Sequence, residues 1–172
     1  MSRGYVHVYT GNGKGKTTAA LGLAMRAAGA GLRVFIAQFA KGTESSEVRA
    51  FARLSDQVVL RQFGLPRLIS GRPKPLDVSM AARGVSEVEQ AVHGGEFGMI
   101  ILDEANVGVV LGLLDVEWLL KLIDDKPEPL ELVLTGQGAH PRLIERADLV
   151  TEMREIKHYF HRGVLARAGV DM

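Results

Sequence analysis

Apolar residues cluster in short runs along the chain, and segments of helical length separate these runs. The runs are rich in β-branched or aromatic residues and predict six strands, of which the last is the weakest. The predicted strands are Tyr5–Tyr9, Arg33–Phe39, Gln57–Gln62, Met99–Asp103, Glu131–Thr135 and Asp148–Met153. Because the runs are apolar at consecutive positions, they are typical of strands buried on both faces of a parallel sheet.

Helical patterns lie between the predicted strands. In the clearest one, Thr17–Ala28, apolar residues recur at i, i+3, i+4 and i+7, and Gly29 follows as a stop signal. Further helices are predicted at Glu44–Leu54, Val78–His93, Val116–Asp124 and Pro141–Arg146. This alternation indicates βαβ units, and therefore an α/β fold with a doubly wound, mostly parallel sheet in a three-layer α/β/α arrangement.

The segment Phe63–Asp77, FGLPRLISGRPKPLD, fits neither pattern. It contains three of the chain's six prolines and two glycines, so we predict a long loop. Loops of this length without secondary structure are uncommon unless they are functional or disordered. Its basic residues Arg67, Arg72 and Lys74 are candidates to bind a phosphate, and a solvated loop is an equally good interpretation.

Composition narrows the class of protein. The 172 residues are 47% hydrophobic and 24% charged, without repeats or a linker, which predicts one globular domain over 1–172. A net charge of +1 argues against nucleic acid or an anionic membrane as a partner. The chain has no cysteine, and we find neither an apolar run of membrane-spanning length nor a signal peptide. We therefore expect a cytoplasmic protein.

A glycine-rich motif, Thr10-Gly-Asn-Gly-Lys-Gly-Lys-Thr-Thr18, joins the first strand to the first helix. Glycines let backbone amides face a phosphate, Lys16 adds positive charge, and the Thr17 hydroxyl is a Mg²⁺ ligand in such loops. The strict motif has glycine where Thr10 stands, so this loop is a variant. A glycine-rich turn with a surface lysine is the alternative. The candidate nucleotide-binding residues are Gly11, Asn12, Gly13, Lys14, Gly15, Lys16, Thr17 and Thr18.

Two acidic residues, Asp103 and Glu104, end the apolar strand at Met99–Asp103. In phosphate-loop proteins an acid at such a strand end lies opposite the loop threonine and holds the metal. We therefore predict that Thr17, Asp103 and Glu104 hold Mg²⁺ or Mn²⁺, directly or through water. The alternative is that the two acids cap a helix starting near Asn106. Whether water, an alcohol or another nucleophile attacks the nucleotide stays open.

Five segments together resemble the ATP:corrinoid adenosyltransferases of cobalamin synthesis. The segment Thr10–Ala20 resembles the opening of these enzymes, and the variant Thr10 belongs to their version of the loop. The most specific likeness is the tail, which starts at Ala147. Within the tail, the similar pieces are Ala147–Arg154, Ile156–His158 and Gly163–Asp171. The three remaining similar segments are Gln38–Gly42, Ile101–Glu104 and Leu134–Gly138.

The resemblance implies a phosphate-loop NTPase architecture of the RecA-like type and a definite reaction. The 5′-deoxyadenosyl group of ATP passes to a corrinoid whose cobalt is Co(I), and triphosphate leaves. Lys16, Thr17 and Glu104 are then the expected catalytic residues, acting by positioning and charge neutralisation, and Asn12 lies near the sugar. The resemblance also implies a homodimer and an external electron donor such as a reduced flavoprotein.

Two departures from the family concern the corrinoid. Members often carry an N-terminal extension that helps to cover it, whereas here the first strand starts at about Tyr5. Some members place a Phe and a Trp in the long loop, against the lower face of cobalt. Phe63 is the candidate here, while Trp118 lies in a predicted helix and is expected in the core. Other apolar loop residues, Leu65, Leu68 and Ile69, could take that role or pack locally.

Two other classes of function use the same residues. A phosphate-loop ATPase or small-molecule kinase would also need Lys16, Thr17 and the acidic pair, and would release ADP instead of triphosphate. A nucleotide-gated binding module would bind ATP without turnover. The phosphate product separates the first class from the transferase, and any turnover excludes the second.

Overall fold

Six parallel strands form one sheet in the computed structural model, which describes residues 3–171. Every pair of neighbouring strands is parallel, and the spatial order is β3-β2-β4-β5-β1-β6. The predicted α/β fold is confirmed. Residues 1, 2 and 172 of the predicted 1–172 domain lie outside the described part. The strands are β1 Val6–Thr10, β2 Val34–Phe39, β3 Val58–Phe63, β4 Met99–Asp103, β5 Glu131–Thr135 and β6 Leu149–Glu152.

Helices cover both faces of the sheet, which gives the expected three layers. On one face, Val34 and Ile36 pack against small residues of the first helix; on the other, Phe35 and Phe39 pack against later helices. None of the helices within residues 3–171 is long and apolar enough to cross a membrane. The helices are α1 Lys16–Gly29, α2 Ser46–Phe51, α3 Pro75–His93, α4 Ala105–Val110, α5 Val116–Asp125 and α6 Pro141–Arg146, with 3₁₀ turns at Ala52–Leu54 and Tyr159–Arg162.

The start of α3 corrects the sequence prediction, which began this helix at Val78 and left Phe63–Asp77 as loop. The helix begins three residues earlier, because Pro75 suits the first helical position and the Asp77 carboxylate accepts a hydrogen bond from the Lys74 amide at 2.9 Å. Arg67 donates to both oxygens of Asp77, at 2.8 and 2.6 Å, and so ties the remaining loop to the helix.

One other helix prediction changes, and one short helix has no counterpart among the predicted helices. The helix predicted at Glu44–Leu54 is the shorter α2 followed by a 3₁₀ turn. A helix starting near Asn106 was expected only under the capping alternative; α4 begins at Ala105, and its six residues are too few for a helical period to stand out.

Phe63 belongs to the aromatic packing between the sheet and α3. Its side chain is 2% exposed, and its ring centroid lies 5.8 Å from that of Phe39. Gly84 of α3 faces both rings, and a Cβ there would approach each of them to 2.7 Å. Trp118, expected in the core, is partly buried against it and donates its indole N–H to Glu89 at 3.0 Å on the exposed side. Phe63 is therefore the buried end of β3 and not part of the loop.

Candidate active site

A cavity of about 480 Å³ opens at the carboxyl ends of the central strands, where open α/β sheets bind ligands. The phosphate-loop motif follows β1 and leads into α1, so the amino end of this 14-residue helix lies in the cavity wall. Acidic Glu104 follows β4 on the opposite wall. The cavity thus brings together most of the predicted nucleotide and metal residues: Lys14, Gly15, Lys16, Thr17, Thr18 and Glu104.

Glycine is needed in this motif for close packing against a neighbouring segment as well as for binding a phosphate. Gly11 has φ 95°, in the region that favours glycine, and a Cβ there would lie 2.3 Å from the Met153 carbonyl oxygen. Gly13 donates its amide to the same oxygen at 2.7 Å, and a Cβ on Gly13 would approach it to 2.8 Å. The segment after β6 therefore holds the loop, and larger residues at these positions would push the two apart.

Lys16 is buried beneath the loop and 8% exposed. Its ammonium donates to the carbonyl oxygens of Gly11 at 2.8 Å and Gly13 at 2.7 Å. Burial lowers the pKa of Lys16, although the charges of Glu104 and Asp103 oppose this change. The alternative of a surface lysine on a glycine-rich turn does not fit this arrangement. An anion entering the loop would meet a positive charge that is already positioned.

Asp103 is fully buried at the centre of a hydrogen-bond network. Its Oδ1 accepts from the hydroxyls of Thr17 at 2.8 Å and Thr135 at 2.7 Å. Its Oδ2 accepts from Lys41 Nζ at 2.7 Å and from the Gln38 amide at 3.1 Å. Both carboxylate oxygens are therefore engaged. Asp103 lies opposite the loop threonine at the predicted strand end and orients the Thr17 hydroxyl.

Glu104 projects its side chain toward the cavity from an unusual backbone conformation, with φ 59° and ψ 22°. Its amide donates to Thr135 Oγ1 at 3.1 Å. Although Glu104 stands at the N-cap position of α4, its carboxylate makes no capping hydrogen bond, so the capping alternative does not account for it. Burial and the Asp103 charge raise its pKa, and the charges of Lys41 and Lys16 oppose this.

Three residues of this network lie in the similar segments Gln38–Gly42 and Leu134–Gly138 but were given no role from the sequence: Gln38, Lys41 and Thr135. Gln38 and Thr135 belong to β2 and β5, the two neighbours of β4, and Gln38 lies opposite Asp103 in the β-sheet register. Lys41 follows β2 directly. A usable signal was present, since all three are polar residues at the carboxyl end of an apolar strand, where parallel strands meet.

The carboxyl-terminal tail closes one side of the cavity. Asp171 lies 2.7 Å from Lys14 Nζ and accepts hydrogen bonds from the Tyr159 hydroxyl and, at 3.0 Å, from the Arg167 amide. The hydrogen bonds from Lys14 and then Tyr159 hold the pKa of Asp171 well below its usual range. The Asn12 side chain accepts from a tail amide at 3.1 Å. Lys14 and Asn12, both predicted to contact nucleotide, therefore also hold the tail.

A second cavity, of about 690 Å³, adjoins the first and shares Lys41 and Asp171 with it. The loop between β3 and α3 lines it with Leu65 and Leu68, of which Leu68 is 92% exposed. Phe63, the predicted corrinoid contact, is not among its lining residues, because its ring points into the core.

The oxygen donors of the site suit one class of metal. Within residues 3–171, no group of three or more His, Cys, Asp and Glu side chains is arranged to hold a metal ion. Mg²⁺ commonly binds through one or two carboxylates and completes its shell with substrate phosphates and water. The Thr17 hydroxyl and the carboxylates of Asp103 and Glu104 fit this mode, in which the metal binds together with a nucleotide.

Known proteins share both the sequence and the fold. The profile of the family described as ATP:corrinoid adenosyltransferase BtuR/CobO/CobP matches residues 2–172. The corrinoid adenosyltransferase of Pseudomonas aeruginosa is 35% identical over 170 residues, which cover 98% of this chain and 84% of that protein. That of Escherichia coli K12 is 33% identical over 172 residues, covering 98% and 86%. A KaiC-like protein of Pyrococcus horikoshii shares the fold, with a TM-score of 0.59, 16% identity, and coverage of 90% of this chain and 75% of that one.

Proposed function

Because the chain belongs to the ATP:corrinoid adenosyltransferase family, we propose that its phosphate-loop cavity binds ATP and presents the adenosyl group to a corrinoid in the adjoining cavity. The enzyme transfers the 5′-deoxyadenosyl group of ATP to Co(I) of the corrinoid and releases triphosphate. The observation that carries the assignment of sites is the pair of adjoining cavities, one lined by the phosphate loop and one partly by apolar loop residues. An ATPase needs only the first of these sites, whereas an adenosyltransferase and a kinase both need the second, and the phosphate product separates those two.

The chemistry is a displacement at the 5′ carbon of ATP. Cobalt supplies an electron pair to this carbon, the bond to the triphosphate oxygen breaks, and that oxygen keeps the electrons. Because the nucleophile carries no proton, the protein needs no general base. Its task is to align the two substrates and to stabilise the charge of the leaving group. Lys16 and the amino end of α1 supply the stabilising charge.

We assign the divalent metal, Mg²⁺ or Mn²⁺, to Thr17 and Glu104, with Asp103 orienting the Thr17 hydroxyl. When bound, this ion neutralises part of the triphosphate charge. Glu104 is the better direct ligand, because the described contacts leave its carboxylate only a long approach of 3.9 Å to Lys41, whereas both oxygens of Asp103 are engaged.

The function is tested by incubating the protein anaerobically with MgATP and a chemically reduced corrinoid. We expect a light-sensitive product with a cobalt–carbon bond and one triphosphate per adenosyl group transferred. ADP with no cobalt–carbon product would instead establish an ATPase or kinase. ATP binding without any turnover would establish a binding module.

The metal assignment predicts that Thr17→Ala and Glu104→Gln each raise the Mg²⁺ concentration needed for half-maximal activity by about tenfold, since each removes a ligand oxygen or its charge. The measurement is a Mg²⁺ titration of transfer at saturating ATP. Asp103→Asn is the matched comparison, since it removes charge without removing a direct ligand. If Asp103→Asn abolishes the response to metal while Glu104→Gln does nothing, Asp103 is the ligand and the assignment is wrong.

The proposal extends to assembly, electron supply and location. We expect a cytoplasmic homodimer with one adenosyltransferase domain over 1–172, supplied with electrons by an external donor such as a reduced flavoprotein. Support for pairing comes from β6, an edge strand whose four residues are all exposed, including Leu149 and Val150. Sedimentation equilibrium measures the assembly, and a monomer at micromolar concentration would contradict it.

A further inference from the structure

Lys41 contacts every residue that the proposed function assigns to the metal. Its ammonium lies 2.7 Å from Asp103 Oδ2, 3.2 Å from Thr17 Oγ1 and 3.9 Å from a Glu104 carboxylate oxygen. The side chain is 30% exposed and lines both cavities. A single positive charge therefore already occupies the neighbourhood of the three oxygen-bearing side chains.

The backbone around Lys41 is built to hold this position. The corner after β2 packs closely on the corner after β3, because a Cβ on Gly42 would lie 2.3 Å from the Gly64 carbonyl oxygen and one on Gly64 would lie 2.5 Å from the Lys41 amide nitrogen. Ala40, with φ 52°, donates its amide to the Phe63 carbonyl at 3.2 Å. The main chain is thus fixed, and any movement of the ammonium must come from its side chain.

The positive charge of Lys41 is maintained in this environment. Its ammonium donates to the buried Asp103 carboxylate at 2.7 Å and lies 3.9 Å from a Glu104 carboxylate oxygen, so two negative charges face it. An ammonium and a divalent ion at the same oxygen atoms repel each other strongly in a partly buried site. Both cannot contact the acidic pair unless further negative charge enters the cavity.

We propose that the Lys41 ammonium is the resident cation of this site in the nucleotide-free protein, and that the divalent metal displaces it only when ATP is bound. This inference rests on the proposed metal site. The phosphates of ATP supply the negative charge that two cations need, and they give Lys41 a new hydrogen-bond acceptor in place of Asp103. Metal binding without nucleotide is therefore weak, and metal and nucleotide bind cooperatively.

The test measures the Kd of Mn²⁺, by electron paramagnetic resonance of the free ion, with and without a nonhydrolysable ATP analogue and with no corrinoid present. Lys41→Met keeps the length of the side chain and removes its charge. We expect this variant to bind Mn²⁺ without nucleotide about tenfold more tightly than the wild type. The ratio of the Kd without the ATP analogue to the Kd with it is then smaller than in the wild type. A purely structural role of Lys41 predicts the opposite, since losing a partner of buried Asp103 would loosen the site.

Two controls and one substitute variant make the outcomes distinct. Lys41→Arg keeps the charge and should bind Mn²⁺ alone as weakly as the wild type. Lys121→Met makes the same substitution at an exposed lysine that pairs with Asp125 and lines neither cavity, and it should change the Kd little. If Lys41→Met does not fold, as judged by circular dichroism, Lys41→Gln takes its place, because its amide can still donate to Asp103.

Unchanged or weaker Mn²⁺ binding in the folded uncharged variant overturns the inference and leaves the metal site intact. If the wild type does not bind Mn²⁺ even with the ATP analogue, the metal site of the proposed function is wrong, and the inference about Lys41 is wrong with it.

Discussion

Lys16→Ala is expected to reduce adenosyl transfer by about 100-fold or more while the protein stays folded. The ammonium is buried beneath the loop and already bonded to the carbonyls of Gly11 and Gly13, so an arriving phosphate meets a charge that needs no reorganisation. The measurement is the rate of cobalt–carbon bond formation at saturating MgATP with preformed Co(I). Circular dichroism and urea unfolding establish that the variant is folded.

Lys16→Met is the matched variant, since it retains most of the apolar stem and lacks only the charge and its donors. An equal loss in both variants locates the effect in the ammonium. Turnover close to that of the wild type in either folded variant would contradict the role of the loop in binding triphosphate.

Phe63→Ala is expected to lower the free energy of unfolding by about 3–5 kcal/mol, because it leaves a cavity between the sheet and α3. The ring packs on Phe39 and faces Gly84, which carries no side chain to fill the space. Urea unfolding followed by circular dichroism measures the loss. Leu68→Ala, at a 92% exposed position of the neighbouring loop, is the control and should change stability by less than about 0.5 kcal/mol.

The same two variants test the prediction that Phe63 acts on the lower face of cobalt. Such a role concerns the formation of Co(I), so its loss would slow transfer from Co(II) with a mild reductant more than transfer from preformed Co(I). A buried ring predicts equal losses in the two assays for Phe63→Ala. A selective loss with Co(II) in Phe63→Ala would restore its contact with the corrinoid, whereas a selective loss in Leu68→Ala would assign that contact to Leu68, which lines the second cavity.

The strands were predictable from the sequence, and several helix ends were not. Continuous apolar runs mark strands buried on both faces, so each end of the six strands was placed to within one residue. The start of α3 depended on a proline at the first helical position and on the Asp77 hydrogen bond, which do not show in an apolar period. The sequence pattern also did not show on which face of the sheet a strand side chain lies. Phe63 pairs with Phe39 in the β2–β3 register, and this register directs both toward α3.

The local parts of the site were predictable, and the parts assembled across strands were not. Lys16 and Thr17 belong to one continuous motif, and Asp103 and Glu104 end one strand, so each pair is visible in a few residues of sequence. Lys41 and Thr135 contribute to the Asp103 network only because the sheet places β2 and β5 on either side of β4. Strand order is a property of the whole fold, and no short segment encodes it.

The left-handed backbone conformation of Glu104 lowers the stability of the fold at a residue whose side chain the proposed activity needs. A side chain in this conformation costs about 1–2 kcal/mol, which glycine would not incur. A chain selected for stability alone would therefore carry glycine after Asp103, and an engineering programme guided by unfolding temperature would choose that substitution early. It would also delete the carboxylate that faces the nucleotide cavity. Glu104 is therefore a position to hold fixed when the enzyme is stabilised.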